Sequence, residues 1–287
     1  MSSATRALLS GLIDYAGLFP PAARSMADAV ANYAAYRDGA DHWALGRFVV
    51  PISRLAEFEA AAAPHLHGAP WRLAVLAQAS DHDEMLRFNA RQAGRAVIDA
   101  VETKASTVVE IETMESLAII GDVFVEIPVT GDPDGLLLAI YALRLRAKIR
   151  TGGVTADAAP APADVVRFLS ACVLHGVPFK ATAGLHHPLR GEYPLTYAPD
   201  APRGTMHGYL NVFLAALFLR HGMSESDTVA LLEERDASAF SLADGVRWRA
   251  HTLTVAQVAD ARARFAGSFG SCSFREPLDD LSALALP

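Results

Sequence analysis

The sequence predicts an α/β protein built as a single (β/α)8 barrel, and three observations carry that expectation. Apolar strand-like runs begin near Leu12, Arg47, Trp71, Ala96, Val123, Ala147, Val177 and, with the weakest pattern, Ser238. Amphipathic stretches with helix signals separate most of them, at intervals often close to 25 residues, about the minimum for a strand, a turn, a helix and a return. No glycine fingerprint for a dinucleotide follows the first strand, which disfavours an open doubly wound sheet.

The helices follow from their end signals. Ser25 stands three positions before Asp28, and Ser80 before Asp83, each predicting an acidic capping box. Asp132-Pro133 predicts a cap followed by proline at the first helical position. An amphipathic run over 163–175 is expected to stop at Gly176, and Thr254 with Gln257 to open a helix continuing to Phe265. Two further helices and a long loop fall between the seventh and eighth strands. That loop, 184–205, holds Pro188, Pro194, Pro199 and Pro202 and has neither helical nor strand period, so it reads as an irregular lid or binding loop. No linker divides the chain, and one domain over 1–287 is expected.

Composition narrows the function. With 52% hydrophobic residues the chain can bury a large core. A net charge of −7 without any basic block argues against nucleic acid and acidic membranes as partners, while a local basic pocket would still take a small anionic metabolite. The most apolar stretch, 209–219, is shorter than the roughly 20 residues of a spanning helix. It reads as a buried helix or as a homodimer contact. Cys172 and Cys272 have no partner motif, so neither a disulfide framework nor a thiolate zinc site is indicated. Together with an apolar run too short for a signal peptide after Met1, this gives a cytoplasmic expectation.

Two lysines carry the chemistry. Lys148 and Lys180 each end a strand-like run that opens into a glycine-containing turn. Strand alternation puts Lys148, Arg150 and Gly152 on one face, and Lys180, Thr182 and Gly184 on one face of the next strand. If these faces point into the barrel, three cations meet near its mouth and need acids. Asp14, Asp99, Glu102 and Glu126 supply them, although Asp99 and Glu102 have opposite parity and a regular strand cannot aim both inward. Arg150 is suited to clamp a carboxylate or phosphate, with Gly152, Gly153 and Gly184 letting backbone amides approach it.

His186 and His187 follow Gly184 in a turn, as further substrate contacts. In a rival reading they join Glu102 and Glu126 as ligands of a divalent metal; otherwise no cofactor is expected. His207 and Asn211, four apart on one helical face, are candidate substrate contacts or parts of a core helix. The stiff segment from Asp14-Tyr15 to Pro20-Pro21 is expected to line the same mouth, whereas Cys272 has no base tied to it by motif.

Lys-x-x-Thr-Gly at 148–152, followed about thirty residues later by Lys-Ala-x-x-Gly at 180–184, resembles deoxyribose-phosphate aldolase and related class I aldolases. The resemblance covers about a third of the chain. It implies a TIM-type barrel in which the sixth-strand lysine, Lys148, forms a Schiff base beside a seventh-strand lysine, Lys180. Ile-Asp-Ala-Val at 98–101 resembles that family's acidic strand and implies proton transfer by Asp99. Arg150, Ala183, the short Asp99-to-Lys148 interval and the His186-His187 pair depart from the family pattern. The expected activity is a Schiff-base lyase or aldolase, in which Lys180 lowers the pKa of the nucleophile and Glu126 or Asp99 moves the proton. A metal-dependent lyase or hydrolase and a non-catalytic anion-binding barrel are the alternatives.

Overall fold

The computed structural model describes residues 2–284 and 286. Strands β1 (Ile13–Tyr15), β2 (Leu45–Pro51), β3 (Trp71–Leu76), β4 (Ala96–Lys104), β5 (Asp122–Glu126), β6 (Arg146–Arg150) and β7 (Phe179–Thr182) pair in parallel, each with the next. A hairpin follows, β8 (Gly191–Pro194) with β9 (Arg203–Met206), and then a small antiparallel sheet of β10 (Phe240–Ser241), β11 (Gly245–Trp248) and β12 (His251–Thr254). The last strand, β13 (Ala266–Ser271), pairs in parallel with β7 and β1 and closes an eight-stranded (β/α)8 barrel.

The eighth stave is therefore not the run near Ser238. Phe240 and Ser241 pair with β11 outside the barrel. The closing strand is Ala-Gly-Ser-Phe-Gly-Ser, whose small residues carry weak strand propensity and read as a loop. They are small because the space is tight: a Cβ on Gly267 would lie 2.9 Å from the Phe179 carbonyl oxygen. The 184–205 segment is likewise not irregular throughout, since β8 and β9 pair within it.

Most helix ends form as their residues dictate. Ser25 Oγ accepts from Asp28 N at 3.1 Å, Thr254 and Gln257 cap each other reciprocally, and Gly176 ends its helix at φ +67°. Two signals shift. The capping pair before helix His82–Arg91 is Gln78 with Asp81, displacing Ser80 and Asp83, and Pro133 is itself the cap residue while Asp132 Oδ1 accepts from Asp134 N at 2.9 Å.

Outward strand residues such as Val50, Val75, Ala147, Ile149 and Phe179 pack under the helices in one large core. Inside the barrel Val49, Ala74, Ala100 and Phe124 form a smaller apolar layer. The apolar stretch 209–219 is a helix, Tyr209–Arg220, buried along its length within the chain, so the observation behind a homodimer contact is spent on the core. Among the described residues no helix is long and apolar enough to cross a membrane.

Candidate active site

Parallel pairing brings four charged residues into one row across four staves. Lys104 is in register with Glu126, Glu126 with Lys148, and Lys148 with Lys180. Since all four side chains point the same way from the sheet, their charges settle as a chain of ion pairs inside the barrel.

The chain starts deep. Lys180, with 0% exposure, donates to Asp14 Oδ2 and to Glu102 Oε1, both at 2.6 Å, and its ammonium lies 5.2 Å from the Phe124 ring centroid. Burial works to lower its pKa, but Asp14 and Glu102 outweigh burial and hold it above the usual lysine value. Asp14 is fixed in turn by Ser268 Oγ at 2.6 Å and Arg47 N at 2.7 Å.

Above it, the second oxygen of Glu102 lies 2.8 Å from Lys148 Nζ, and Glu126 Oε2 lies 3.0 Å from the same nitrogen. Arg150 Nε and Lys104 Nζ complete the row on Glu126 Oε1 at 3.1 and 3.3 Å. Burial raises the pKa of both glutamates, yet their cations win and hold each below the ordinary carboxylate range. The two lysines differ in how they are held. Those of Lys180 are aligned hydrogen bonds, whereas Glu126 Oε2 is buried and, despite its distance from Lys148, makes no hydrogen bond to the described residues.

Over this row opens a cavity of about 480 Å³ at the C-terminal ends of the strands. Glu102, Lys104, Lys148, Arg150, Thr182 and His186 supply its polar wall, and Phe19, Pro20, Pro21, Val49 and Leu76 its apolar one. Lys180 does not reach it. A larger depression of about 790 Å³, between Asp134 and Val229, is an open groove on the helices and touches none of this chemistry.

The glycines at the lip have a packing reason. A Cβ on Gly152 would lie 2.9 Å from the Gly184 Cα, and one on Gly153 would lie 2.8 Å from the Ala158 Cβ. The loops after β6 and β7 thus touch backbone to backbone, and Thr151 Oγ1 ties them by donating to the Ala183 carbonyl at 2.7 Å.

Other expected site residues lie elsewhere. Asp99 is the extra residue at a bulge in β4, and its carboxylate accepts from Arg47 Nε and Arg72 Nε, each at 2.6 Å, in a cluster that includes Asp122 at the opposite end of the barrel. Asp14 is sealed beneath Lys180. His187 turns from the cavity, stacks on Tyr193 with ring centroids 3.6 Å apart, and pairs with Asp280 at 2.5 Å. His207 accepts from Arg190 at Nδ1 and donates to the Pro160 carbonyl from Nε2, while Asn211 bonds Arg190 N and the carbonyls of Leu231 and Glu234. Both are core braces. The set His186, His187, Glu102 and Glu126 does not gather around one point, and no group of three potential metal ligands occurs among the described residues.

Lys104, Cys272 and Glu276 join the site without having been singled out for it. Lys104 shares strand parity with Glu102, a signal that pointed inward; Glu276, from the helix Arg275–Ala283, has no local signal at all. No family model, curated protein or solved structure matches the chain. The two short lysine motifs remain a resemblance in sequence alone, and the structure adds the (β/α)8 barrel.

Proposed function

We propose that the chain is a lyase of the class I aldolase type that acts through a Schiff base at Lys148 on a small, anionic, carbonyl-bearing metabolite. The observation that carries this reading is the unequal placement of the two lysines. Lys148 lines the cavity at 4% exposure, and Lys180 is sealed below it. Charge supports the anionic substrate: Lys104, Lys148 and Arg150 stand in the cavity wall against one lining carboxylate, Glu102, with Glu126 behind them, in a chain of net charge −7.

In this reading Glu126 Oε2, 3.0 Å from Lys148 Nζ, takes a proton from the Lys148 ammonium. The neutral amine attacks the substrate carbonyl, and Glu126 returns the proton as the carbinolamine loses water. The iminium carries the same single positive charge as the ammonium it replaces, so Glu102 and Glu126 stabilise both. The iminium then accepts the electron pair of the breaking carbon–carbon bond as the β-hydroxyl of the substrate becomes a carbonyl and gives its proton to the ionised Glu126. That proton returns to the enamine carbon, and water hydrolyses the resulting iminium to free Lys148. Lys180 serves by keeping Glu102 ionised and fixed. Glu102 stands between the two amines, so Lys180 meets Lys148 only through that shared carboxylate, and Asp99 is too far along the barrel to move the proton.

Glyoxylate, pyruvate and glycolaldehyde phosphate with borohydride, followed by peptide mass spectrometry, test this. A reduced adduct at Lys148, lost in Lys148→Met and kept in Lys104→Met, is the expected result. No adduct at Lys148 with any of the three, or equal labelling of Lys104, would overturn the reading and leave a barrel that only binds an anionic metabolite.

A further inference from the structure

The cavity contains a second polar cluster that a Schiff base at Lys148 does not use. His186, 9% exposed, lines the wall, and its Nδ1 lies 3.3 Å from Glu276 Oε2 and 3.9 Å from Cys272 Sγ. Tyr197 Oη braces both partners, donating to Glu276 Oε2 at 2.9 Å and lying 3.5 Å from Cys272 Sγ. A nucleophile–base–acid relay would use both ring nitrogens. Here the thiol and the carboxylate approach the same one, so the cluster fixes the ring instead and leaves Nε2 without a partner among the described residues.

The backbone around this ring is also unsatisfied. Ala183 and Gly184 are successive left-handed residues, at φ +63° and +74°, and they turn the chain sharply after β7. Gly184, Leu185, His186 and, across the lip, Gly152 are buried residues, and among the described residues their N–H groups donate to no protein acceptor. Buried N–H groups without partners are rare in folded proteins, and successive ones in a tight turn suit an anion.

We infer that His186 Nε2, with the adjoining N–H groups of Gly184 to His186, binds an oxyanion of the ligand, a carboxylate or a phosphate. The inference rests on the reading of the cavity as a metabolite site, but not on covalent chemistry at Lys148. It assigns the two ends of the substrate: the carbonyl to the glutamate-flanked amine and the anionic group to the loop after β7. Electrostatics agree. Burial lowers the pKa of His186, but Cys272 and Glu276 outweigh burial and bring it up to about 9, so the ring is a cation at neutral pH. The titratable and charged groups around it are Glu276 from the last helix, Cys272 just past β13, Tyr197 from the hairpin loop, His187 beside it, and Glu102, Lys104, Lys148 and Arg150 in the same cavity wall.

Long-range proton–nitrogen NMR of 15N-histidine-labelled protein tests this, with inorganic phosphate or acetate titrated in at constant ionic strength against a sodium chloride blank. The expected result is a saturable shift at His186 Nε2 and a rise of its titration midpoint by about half a unit or more when the site is filled. A tighter response to phosphate assigns a phosphorylated ligand, and a tighter response to acetate a carboxylate. His186→Gln should weaken the saturable binding about tenfold or more. Lys148→Met removes one cation of the wall but no group of the anion site, so it should weaken the saturable binding less than His186→Gln does, which separates this inference from the fate of the Schiff base. Glu276→Gln, which keeps a side-chain hydrogen-bond partner, should lower the midpoint of His186 and weaken anion binding above neutral pH. No response of Nε2 beyond the chloride blank, or unchanged binding in His186→Gln, would overturn it.

Discussion

Lys148 and Lys180 are register partners on β6 and β7, and a single carboxylate, that of Glu102, stands between their amines. Two cations on adjacent staves are tolerated in a barrel interior because each takes a different oxygen of the same acid. The resulting order, Asp14, Lys180, Glu102, Lys148, Glu126, alternates in sign from the depth of the barrel to its mouth.

Position in that order sets what each lysine contributes to stability. Lys180→Met would leave Asp14 and one oxygen of Glu102 buried without their cation, and removing one partner of a buried pair costs about 3–5 kcal/mol. Lys148→Met should cost clearly less, because Glu102 keeps Lys180 and Glu126 keeps Arg150 and Lys104. Urea unfolding of the two variants checks this; equal losses would show that depth does not govern the network.

A core histidine sets the acid limb of stability. Burial and the Arg190 guanidinium push His207 down to about 4 against the opposing hydrogen bond to Pro160, so the ring is neutral when folded. The unfolded chain takes its proton near pH 6.5, so this contribution is complete above that pH and is lost as pH falls toward 4. The loss is about 3 kcal/mol in full. Glu102 and Glu126, held below the ordinary range, remain ionised through most of that window, and His186, raised in the folded state, loses its contribution only as pH rises through about 9. Denaturant titrations between pH 7 and 4.5 should slope steeply for the native chain and much less for His207→Gln. Parallel slopes would refute the assignment.

The glycine contact at the lip predicts an ordered pair of defects. Gly152→Ala drives a methyl into the Gly184 backbone and should cost about 1–3 kcal/mol. Gly184→Ala meets the same contact from the other side and adds the strain of a side chain at φ +74°, so its melting temperature should fall further. A melt in which Gly152→Ala is the worse of the two would contradict this.

The two cysteines should label unequally. Cys272, 6% exposed, lines the cavity, whereas Cys172 is at 0% and burial pushes its thiol well up. Iodoacetamide on the native protein should alkylate Cys272 first and reach Cys172 only on unfolding, as read by peptide mass spectrometry.

How much of this was legible depended on whether the signal was local. Alternation alone put Lys148, Arg150 and Gly152 on one face and Lys180, Thr182 and Gly184 on one face of the next strand, and all but the deeper Lys180 line the cavity; capping residues marked most helix ends. Strand β13 was not legible, because its glycines and serines answer to close contacts with β7 and Asp14 that no propensity encodes. Asp99 entered through the resemblance of Ile-Asp-Ala-Val, although its parity is opposite to that of Glu102, and it stands at a bulge of β4 bound to Arg47 and Arg72. His187, His207 and Asn211 looked like site residues because a buried hydrogen-bonding brace and a substrate contact use the same side chains. Glu276 and Tyr197 came from elements 90 and 11 positions from His186, counted from the numbering, and their convergence exists only in three dimensions.

The helix Arg275–Ala283 comes after every stave, yet Glu276 steadies His186, Asp280 pairs with His187, and the Pro277 carbonyl accepts from Tyr209. A chain cut just before Arg275 would retain all eight staves and forfeit these three anchors. Such a fragment would keep its amines but lose the grip on its histidines together with the Leu278 and Leu281 core contacts, so the recognition surface is completed by a helix that contributes no stave.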